Sequence, residues 1–210
     1  MKRPILILLK TLTWIACLVP VARLVYGALT PGGLGADPSA RIAFTTGYTT
    51  LMLLTITLAI TPVRRLSRHL NWMIRFRRLL GLFAFFYATL HMLAYVALYS
   101  GFDVRAMIGD IEQRRFITVG ALAWLLLLPL ALTSTTWAIR KLGGKRWNML
   151  HKLIYLAVIC GVIHYWWQVK TGVLTPLPFT VVIGILLLAR VVYALLPDRK
   201  QAASQKTTIA

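Results

Sequence analysis

Six long apolar stretches dominate this sequence and limit what it can fold into. A helix that crosses a bilayer needs about 20 consecutive, mostly apolar residues. The runs are too long and too uniformly apolar for half-buried strands, which would alternate apolar and polar residues. We therefore predict an all-α fold, a six-helix transmembrane bundle. The six stretches are residues 11–29, 42–63, 79–99, 116–137, 153–169 and 173–196.

The composition agrees with a membrane protein. The chain is 59% hydrophobic and only 14% charged, whereas about a quarter of the residues in a soluble domain are charged. The formal net charge of +19 raises the possibility of nucleic-acid binding. The charges lie in short clusters between apolar runs, however, without the aromatic residues that interleave a nucleic-acid-binding surface. We expect the lipid bilayer as a partner and no nucleic acid.

The positive charges predict the orientation of the bundle. Most of the 24 Lys and Arg residues lie in segments 2–10, 64–78, 140–152 and 199–206. Cytoplasmic loops are enriched in Lys and Arg, so both termini are predicted to be cytoplasmic. We call the side of these segments the inner side. Residues 1–198 are expected to form the membrane domain, with the first helix retained rather than cleaved, and residues 199–210 a polar cytoplasmic tail.

His91 and His164 lie at matching depths in two of the predicted spans. Spans three and five both start on the inner side, so the two imidazoles each lie about 18 Å from the inner end. Ionisable side chains at this depth are rare and usually face the bundle interior. One such histidine alone could simply form a hydrogen bond to a neighbouring helix, but two at one depth indicate a shared site.

Haem is the ligand that best fits two facing imidazoles in an apolar bundle. Zinc usually takes four ligands, and a proton relay usually includes carboxylates, which the predicted spans lack. Haem iron takes two axial nitrogens from opposite sides, and the apolar macrocycle fills the space between helices. Such a haem carries electrons and has no open position for substrate.

His151 raises the question of a second haem. It precedes His164 by about 20 Å along a helix, which places it at the inner boundary. Its partner is expected at Arg77, but a guanidinium cannot ligate iron, so His69, Met73 or one-sided binding remains open. An ideal helix would also turn His151 about 220° away from His164, so the helix must be distorted or start after His151. An interfacial side chain is the alternative.

Several motifs carry a resemblance to a known family. The segments are "GGLGADP" (32–38), "RFRRLLGL" (75–82), "ATLHMLAYV" (88–96), "LALTST" (130–135) and "GKRWNMLHKLIYL" (144–156). They resemble the MsrQ (YedZ) family of haem-binding membrane subunits in the bacterial periplasmic methionine-sulfoxide reductase system, part of the ferric-reductase-like transmembrane superfamily.

The resemblance implies a cofactor set and a set of partners. It implies b-type haem, one or possibly two, with His91, His151 and His164 as iron ligands, and it attributes FMN to the family. It implies a location in the bacterial inner membrane. The partners would be a periplasmic molybdopterin enzyme that reduces methionine sulfoxide, and the quinone pool or a cytoplasmic flavin reductase as electron donor. Sulfoxide reduction would take place on the partner.

Three arginines are candidates for contact with the haem propionates. Arg77 and Arg78 lie near the expected inner haem, where they could equally bind lipid head groups. Arg23 lies late in span one and could reach an outer propionate or extend to the interface. The "GGLGADP" segment in the first outer loop suits either a tight turn or contact with a periplasmic partner.

Two other functional classes compete with electron transfer. A cofactor-free transporter is disfavoured because the predicted spans hold no Asp or Glu. A haem-containing quinol or metal reductase that acts without the partner remains possible. No dinucleotide or phosphate-binding glycine motif is present, so we do not expect a nicotinamide cofactor to bind this chain, and FMN cannot be placed on residues.

Overall fold

A computed structural model describes residues 3–169 and 174–195 and shows only helices and loops there. The described residues include a 3-10 segment, Arg68–Phe76, and a π-helical turn, Tyr95–Tyr99. The α-helices are α1 (Arg3–Leu29), α2 (Pro38–Leu66), α3 (Arg77–Ala94), α4 (Val104–Gln113), α5 (Arg115–Leu132), α6 (Thr136–Leu142), α7 (Gly144–Leu150), α8 (Leu153–Gln168) and α9 (Leu177–Leu195).

Six helical segments in the described chain are long and apolar enough to cross a membrane. This confirms the predicted six-helix transmembrane fold, whereas the orientation of the termini stays a prediction. The predicted last span begins at 173 and ends at 196, and both of these ends lie outside the described residues, as does the predicted tail. The six segments are Pro4–Leu29, Pro38–Arg65, His69–Tyr99, Arg115–Leu132, Gly144–Gln168 and Leu177–Leu195.

Local capping sets two of the helix boundaries. In the first outer loop, Gly32 and Gly35 have positive φ values of 69° and 83°, which glycine adopts without strain. Asp37 then accepts a hydrogen bond from the Ala40 N–H at 2.9 Å and caps α2. Span four ends at Leu132, short of the predicted residue 137, because the Thr135 hydroxyl caps the new helix α6.

Two helical hairpins form the centre of the bundle. The most extensive helix contacts are α3 against α2 and α8 against α5, and α3 also packs on α5. Ala84 on α3 and Ala157 on α8 are almost fully buried. Small side chains of this kind let membrane helices approach closely. The hairpins α2–α3 and α5–α8 therefore meet at the α3–α5 contact and bring α3 and α8 into the interior.

Tyr87 links α1 to this centre through two hydrogen bonds to the main chain of α1. Its side chain is fully buried, and its hydroxyl donates to the Cys17 carbonyl at 2.7 Å and accepts from the Val21 N–H at 3.1 Å. The hydroxyl thus inserts into the helical hydrogen-bond ladder of α1, next to Pro20. Insertions and prolines of this kind are the usual causes of helix kinks.

Arg190 links α9 to α2 through a hydrogen bond to the main chain of α2. Pro62 has no N–H, so the carbonyl of Leu58, four residues earlier on α2, loses its helical donor. The Arg190 guanidinium donates to this carbonyl at 2.5 Å and lies over the Tyr155 ring at 5.4 Å. An arginine inside the membrane is thereby paired with a main-chain acceptor that a proline has freed.

Candidate functional site

His91 on α3 and His164 on α8 face each other inside the bundle. Their ring centroids are 5.8 Å apart, and the ring planes are inclined by 84°. The structure therefore brings together the two histidines that the sequence placed at matching depth.

A main-chain carbonyl holds each of the two rings. The Nδ1 of His91 lies 2.9 Å from the Ala43 carbonyl oxygen on α2, and the Nδ1 of His164 lies 2.7 Å from the Phe116 carbonyl oxygen on α5. A carbonyl can only accept, so each Nδ1 carries the proton. The lone pair of each ring then lies on Nε2, as it does in metal-binding histidines whose other ring nitrogen donates to a carbonyl or carboxylate.

A glycine lies beside each ring, four residues after the carbonyl. A Cβ atom built on Gly47 would lie 3.0 Å from His91 Cε1, and one built on Gly120 would lie 2.7 Å from His164 Nδ1. Real Cβ atoms essentially never approach other atoms closer than 3.0 Å. A Cβ atom at Gly120 would therefore overlap the His164 ring, and one at Gly47 would press against the His91 ring at the limit of real contacts.

These residues fit an axial pair for haem iron. Metal–imidazole bonds are about 2 Å long, and a ring nitrogen lies about 1.1 Å from its ring centroid. Two collinear ligands on one metal would thus place their centroids about 6 Å apart, close to the observed 5.8 Å. Within residues 3–169 and 174–195, no three His, Cys, Asp or Glu side chains come together, so a zinc-type ligand set is not found there.

A cavity of about 360 Å³ lies on the inner side of this pair. Its walls are mostly apolar, with cationic, imidazole and amide groups at one end. His151, Arg77 and Arg78 all line it, so the structure brings these three predicted residues together. The other lining residues include Leu54, Thr57, Leu58, Phe85, Leu127, Leu130, Ser134, Trp147 and Asn148.

A break between two helices turns His151 towards the cavity. α7 ends at Leu150 and α8 begins at Leu153, so the helix starts after His151, one of the two alternatives that the rotation argument left open. The His151 ring stacks on Trp147 with centroids 3.7 Å apart. Its Nδ1 lies 3.0 Å from the Trp147 carbonyl oxygen, and the main chain of Leu130 is a second hydrogen-bond partner of the ring.

The two hairpins supply their histidines in equivalent ways, which the sequence analysis missed. Each histidine lies 48 residues after the carbonyl that it contacts. The offset that relates His91 to His164 also relates Gly47 to Gly120. No internal repeat is obvious in the sequence because few other residues match. The same offset relates His151 to Arg78, not to Arg77, which the spacing argument had chosen.

Two aromatic side chains lie between the cavity and the histidine pair. Phe85 lines the cavity and stacks on Trp124 of α5, with centroids 6.0 Å apart and planes inclined by 27°. Trp124 follows Gly120 by one helical turn, and its indole N–H donates to Thr89 at 3.1 Å. Phe85 and Trp124 therefore connect the wall of the cavity to the helix that carries Gly120.

Two other candidate residues do not line the cavity. Arg23 is exposed on α1, and its contact with an outer propionate or with the interface stays a prediction. His69 is exposed in the 3-10 segment and does not line the cavity.

Comparisons with known proteins agree with this fold. Residues 42–162 match the family model for the ferric reductase like transmembrane component. A protein of Herminiimonas arsenicoxydans is 48% identical over 91% of this chain and 88% of its own length. One of Ralstonia nicotianae is 48% identical over 76% of this chain and 72% of its own. One of Azospira oryzae is 46% identical over 88% and 78%.

The fold and these matches define the class. The chain is a multi-pass membrane protein of the ferric-reductase-like transmembrane family. All three relatives carry the name protein-methionine-sulfoxide reductase heme-binding subunit MsrQ. With this identity over most of its length, the chain belongs to the MsrQ family, which confirms the resemblance seen in the sequence motifs.

Proposed function

We propose that this protein is the transmembrane electron-transfer subunit of a protein-methionine-sulfoxide reductase. It accepts electrons from the quinone pool or from a cytoplasmic flavin reductase on the inner side. It delivers them, through b-type haem, to a periplasmic molybdopterin enzyme that repairs oxidised methionines in envelope proteins. The bacterial inner membrane is its location.

The observation that carries this proposal is the facing pair of imidazoles. His91 and His164 would hold the haem iron through their Nε2 atoms, while the Ala43 and Phe116 carbonyls fix the rings. A haem with two histidine ligands supplies one-electron transfer. The protein holds both ligands on packed transmembrane helices, so the ligand set is rigid before the cofactor binds, which suits a carrier that undergoes no change of ligation.

The inner cavity supports a second haem-binding position. His151 would be its protein ligand, with the ring oriented by Trp147. Arg77 and Arg78 would neutralise the propionates, since cationic groups pair with carboxylates in such sites. FMN, attributed to the family by resemblance, has no phosphate-binding loop in the sequence to which it can be assigned.

The binding proposal is tested by haem content in purified membranes. His91→Ala and His164→Ala should each remove the absorption of the outer haem, the one that these two histidines would hold, because one of its two iron ligands is lost. His69→Ala is the matched control, since this histidine is exposed and lies outside both sites. If both variants reach the membrane in normal amounts and retain full haem, the axial assignment is wrong.

The electron-transfer proposal needs a separate test. The reduced protein is mixed with the periplasmic reductase and with a soluble protein that contains methionine sulfoxide. With the reductase in catalytic amounts, sustained reoxidation of the haem should require both, with one methionine and one water formed for every two electrons lost and two protons taken up. Equal reoxidation by ferric iron or quinone without the reductase would favour a protein that acts without this partner.

A further inference from the structure

We propose that Gly47 and Gly120 are positioning residues for the two imidazoles, and that they set how firmly His91 and His164 hold iron. This inference rests on the proposed haem site and adds to it two residues on helices that supply no ligand. Its basis is the space in front of these two glycines and the hydrogen bonds formed in that space.

The first step of the argument is the close approach of ring and backbone. At Gly47, a Cβ atom would lie 3.0 Å from Cε1 and 3.1 Å from Nδ1 of His91. At Gly120, it would lie 2.7 Å from Nδ1 and 2.9 Å from Cε1 of His164. Each imidazole therefore rests on the bare backbone of the facing helix, and the contact is closer at Gly120.

The second step is what the close approach permits. Because each ring lies against the backbone, its Nδ1 reaches the carbonyl four residues before the glycine, at 2.9 Å on α2 and 2.7 Å on α5. That hydrogen bond fixes the tautomer with Nε2 unprotonated and raises the basicity of the ligand. A methyl group at Gly120 would force the His164 ring to shift away from its carbonyl, and one at Gly47 would require the His91 ring to give by a few tenths of an ångström.

The third step is the comparison with glycines elsewhere in the bundle. A Cβ atom on Gly184 of α9 would meet nothing within 4 Å, and one on Gly161 of α8 would meet only the Leu51 side chain at 3.6 Å. In helix interiors, glycine is less favourable than alanine. The glycines at 47 and 120 are thus explained by the rings beside them, whereas Gly184 has no neighbour that requires it.

The test measures how tightly the outer haem is held in Gly47→Ala, Gly120→Ala and the control Gly184→Ala. Loss of a contact that orients a metal ligand typically weakens metal binding about 10- to 100-fold. We expect Gly120→Ala to speed haem loss to an excess of a soluble haem-scavenging protein at least about tenfold. Gly47→Ala should have a smaller effect and Gly184→Ala none. The midpoint potential and the EPR spectrum of the remaining low-spin haem should shift in the same order.

A second test, in a variant that lacks the His164 ring, distinguishes a purely structural role of Gly120 from a positioning role. On the His164→Ala background, the ring is absent, so Gly120→Ala should no longer reduce the thermal stability or the membrane abundance of the protein. If Gly120→Ala destabilises both backgrounds equally, Gly120 serves helix packing and the inference is wrong. It is also wrong if Gly120→Ala leaves haem loss, potential and EPR spectrum unchanged.

The two proposals fail in different ways. If the wild-type protein holds no haem, or if His164→Ala retains the outer haem, the proposed site itself is wrong. If His164→Ala loses this haem while Gly120→Ala behaves as the Gly184→Ala control does, only the positioning role is refuted.

Discussion

His91 and His164 lie with their ring centroids 5.8 Å apart, and each ring donates its Nδ1 proton to a carbonyl on a different neighbouring helix. The two proposed ligands come from α3 and α8, while α2 and α5 hold their rings in place. Four helices therefore define the position of a two-ligand site. A site supported in this way is preorganised, because the rings are fixed by protein contacts and do not depend on the cofactor for their orientation.

This arrangement predicts that free imidazole can replace either ligand. In His91→Gly and His164→Gly, the carbonyls of Ala43 and Phe116 remain and can accept a hydrogen bond from a ring that is not attached to the chain. Imidazole at about millimolar concentration, the range of weak small-ligand binding, should restore the absorption of the low-spin haem in both variants. Benzene-sized apolar additives should not, and restoration by these would contradict the assignment.

The sequence predicted the two histidines of this site, but not the glycines against which their rings lie. Long apolar runs fix the number of spans, and the depth of a residue along a helix follows from the rise per residue, so His91 and His164 could be paired from spacing alone. The roles of Gly47 and Gly120 depend on which face of α2 and α5 meets the rings. Helix packing decides that, and neither α2 nor α5 has a marked amphipathic face that would indicate it.

The inner site was harder to predict for a related reason. An ideal helix would turn His151 away from the direction of His164, and only the break between Leu150 and Leu153 resolves this. The break is a local departure from regular geometry, stabilised by the stacking of His151 on Trp147. Counting residues along an unbroken helix also pointed to Arg77 as the partner of His151. The offset that relates His91 to His164 instead relates Arg78 to His151.

The inner site can be tested independently of the outer one. His151→Ala should lower the haem-to-protein ratio from two to one, because the single imidazole of the cavity is lost, and should leave the spectrum of the outer haem unchanged. Trp147→Leu should weaken the inner haem with the same selectivity, since it removes the stacking partner of His151. Pyridine haemochrome assays of the purified variants measure both. One haem in the wild type, unchanged in His151→Ala, would contradict a second site.

Tyr87 should contribute substantially to stability. Tyr87→Phe keeps the ring but removes the hydroxyl that satisfies the Cys17 carbonyl and the Val21 N–H. Buried polar groups left without a partner cost about 1–3 kcal/mol each, unless α1 straightens to close its own bond. We expect the melting temperature in detergent to fall by several degrees. Tyr26→Phe is the matched control, because this side chain on α1 is 70% exposed, and an equal loss there would refute the explanation.

Arg190 and Pro62 should be coupled energetically. In Arg190→Leu, the Leu58 carbonyl loses the donor that replaces the N–H missing at Pro62, which should cost about 1–3 kcal/mol. In Pro62→Ala, residue 62 regains an N–H that can bond to the same carbonyl within α2. Arg190→Leu should therefore be much less harmful on the Pro62→Ala background. Thermal melts of the wild type, both single variants and the double variant give the coupling energy. Additive effects would show that the arginine stabilises the bundle through its contact with Tyr155 or its charge, rather than through the carbonyl that the proline leaves free.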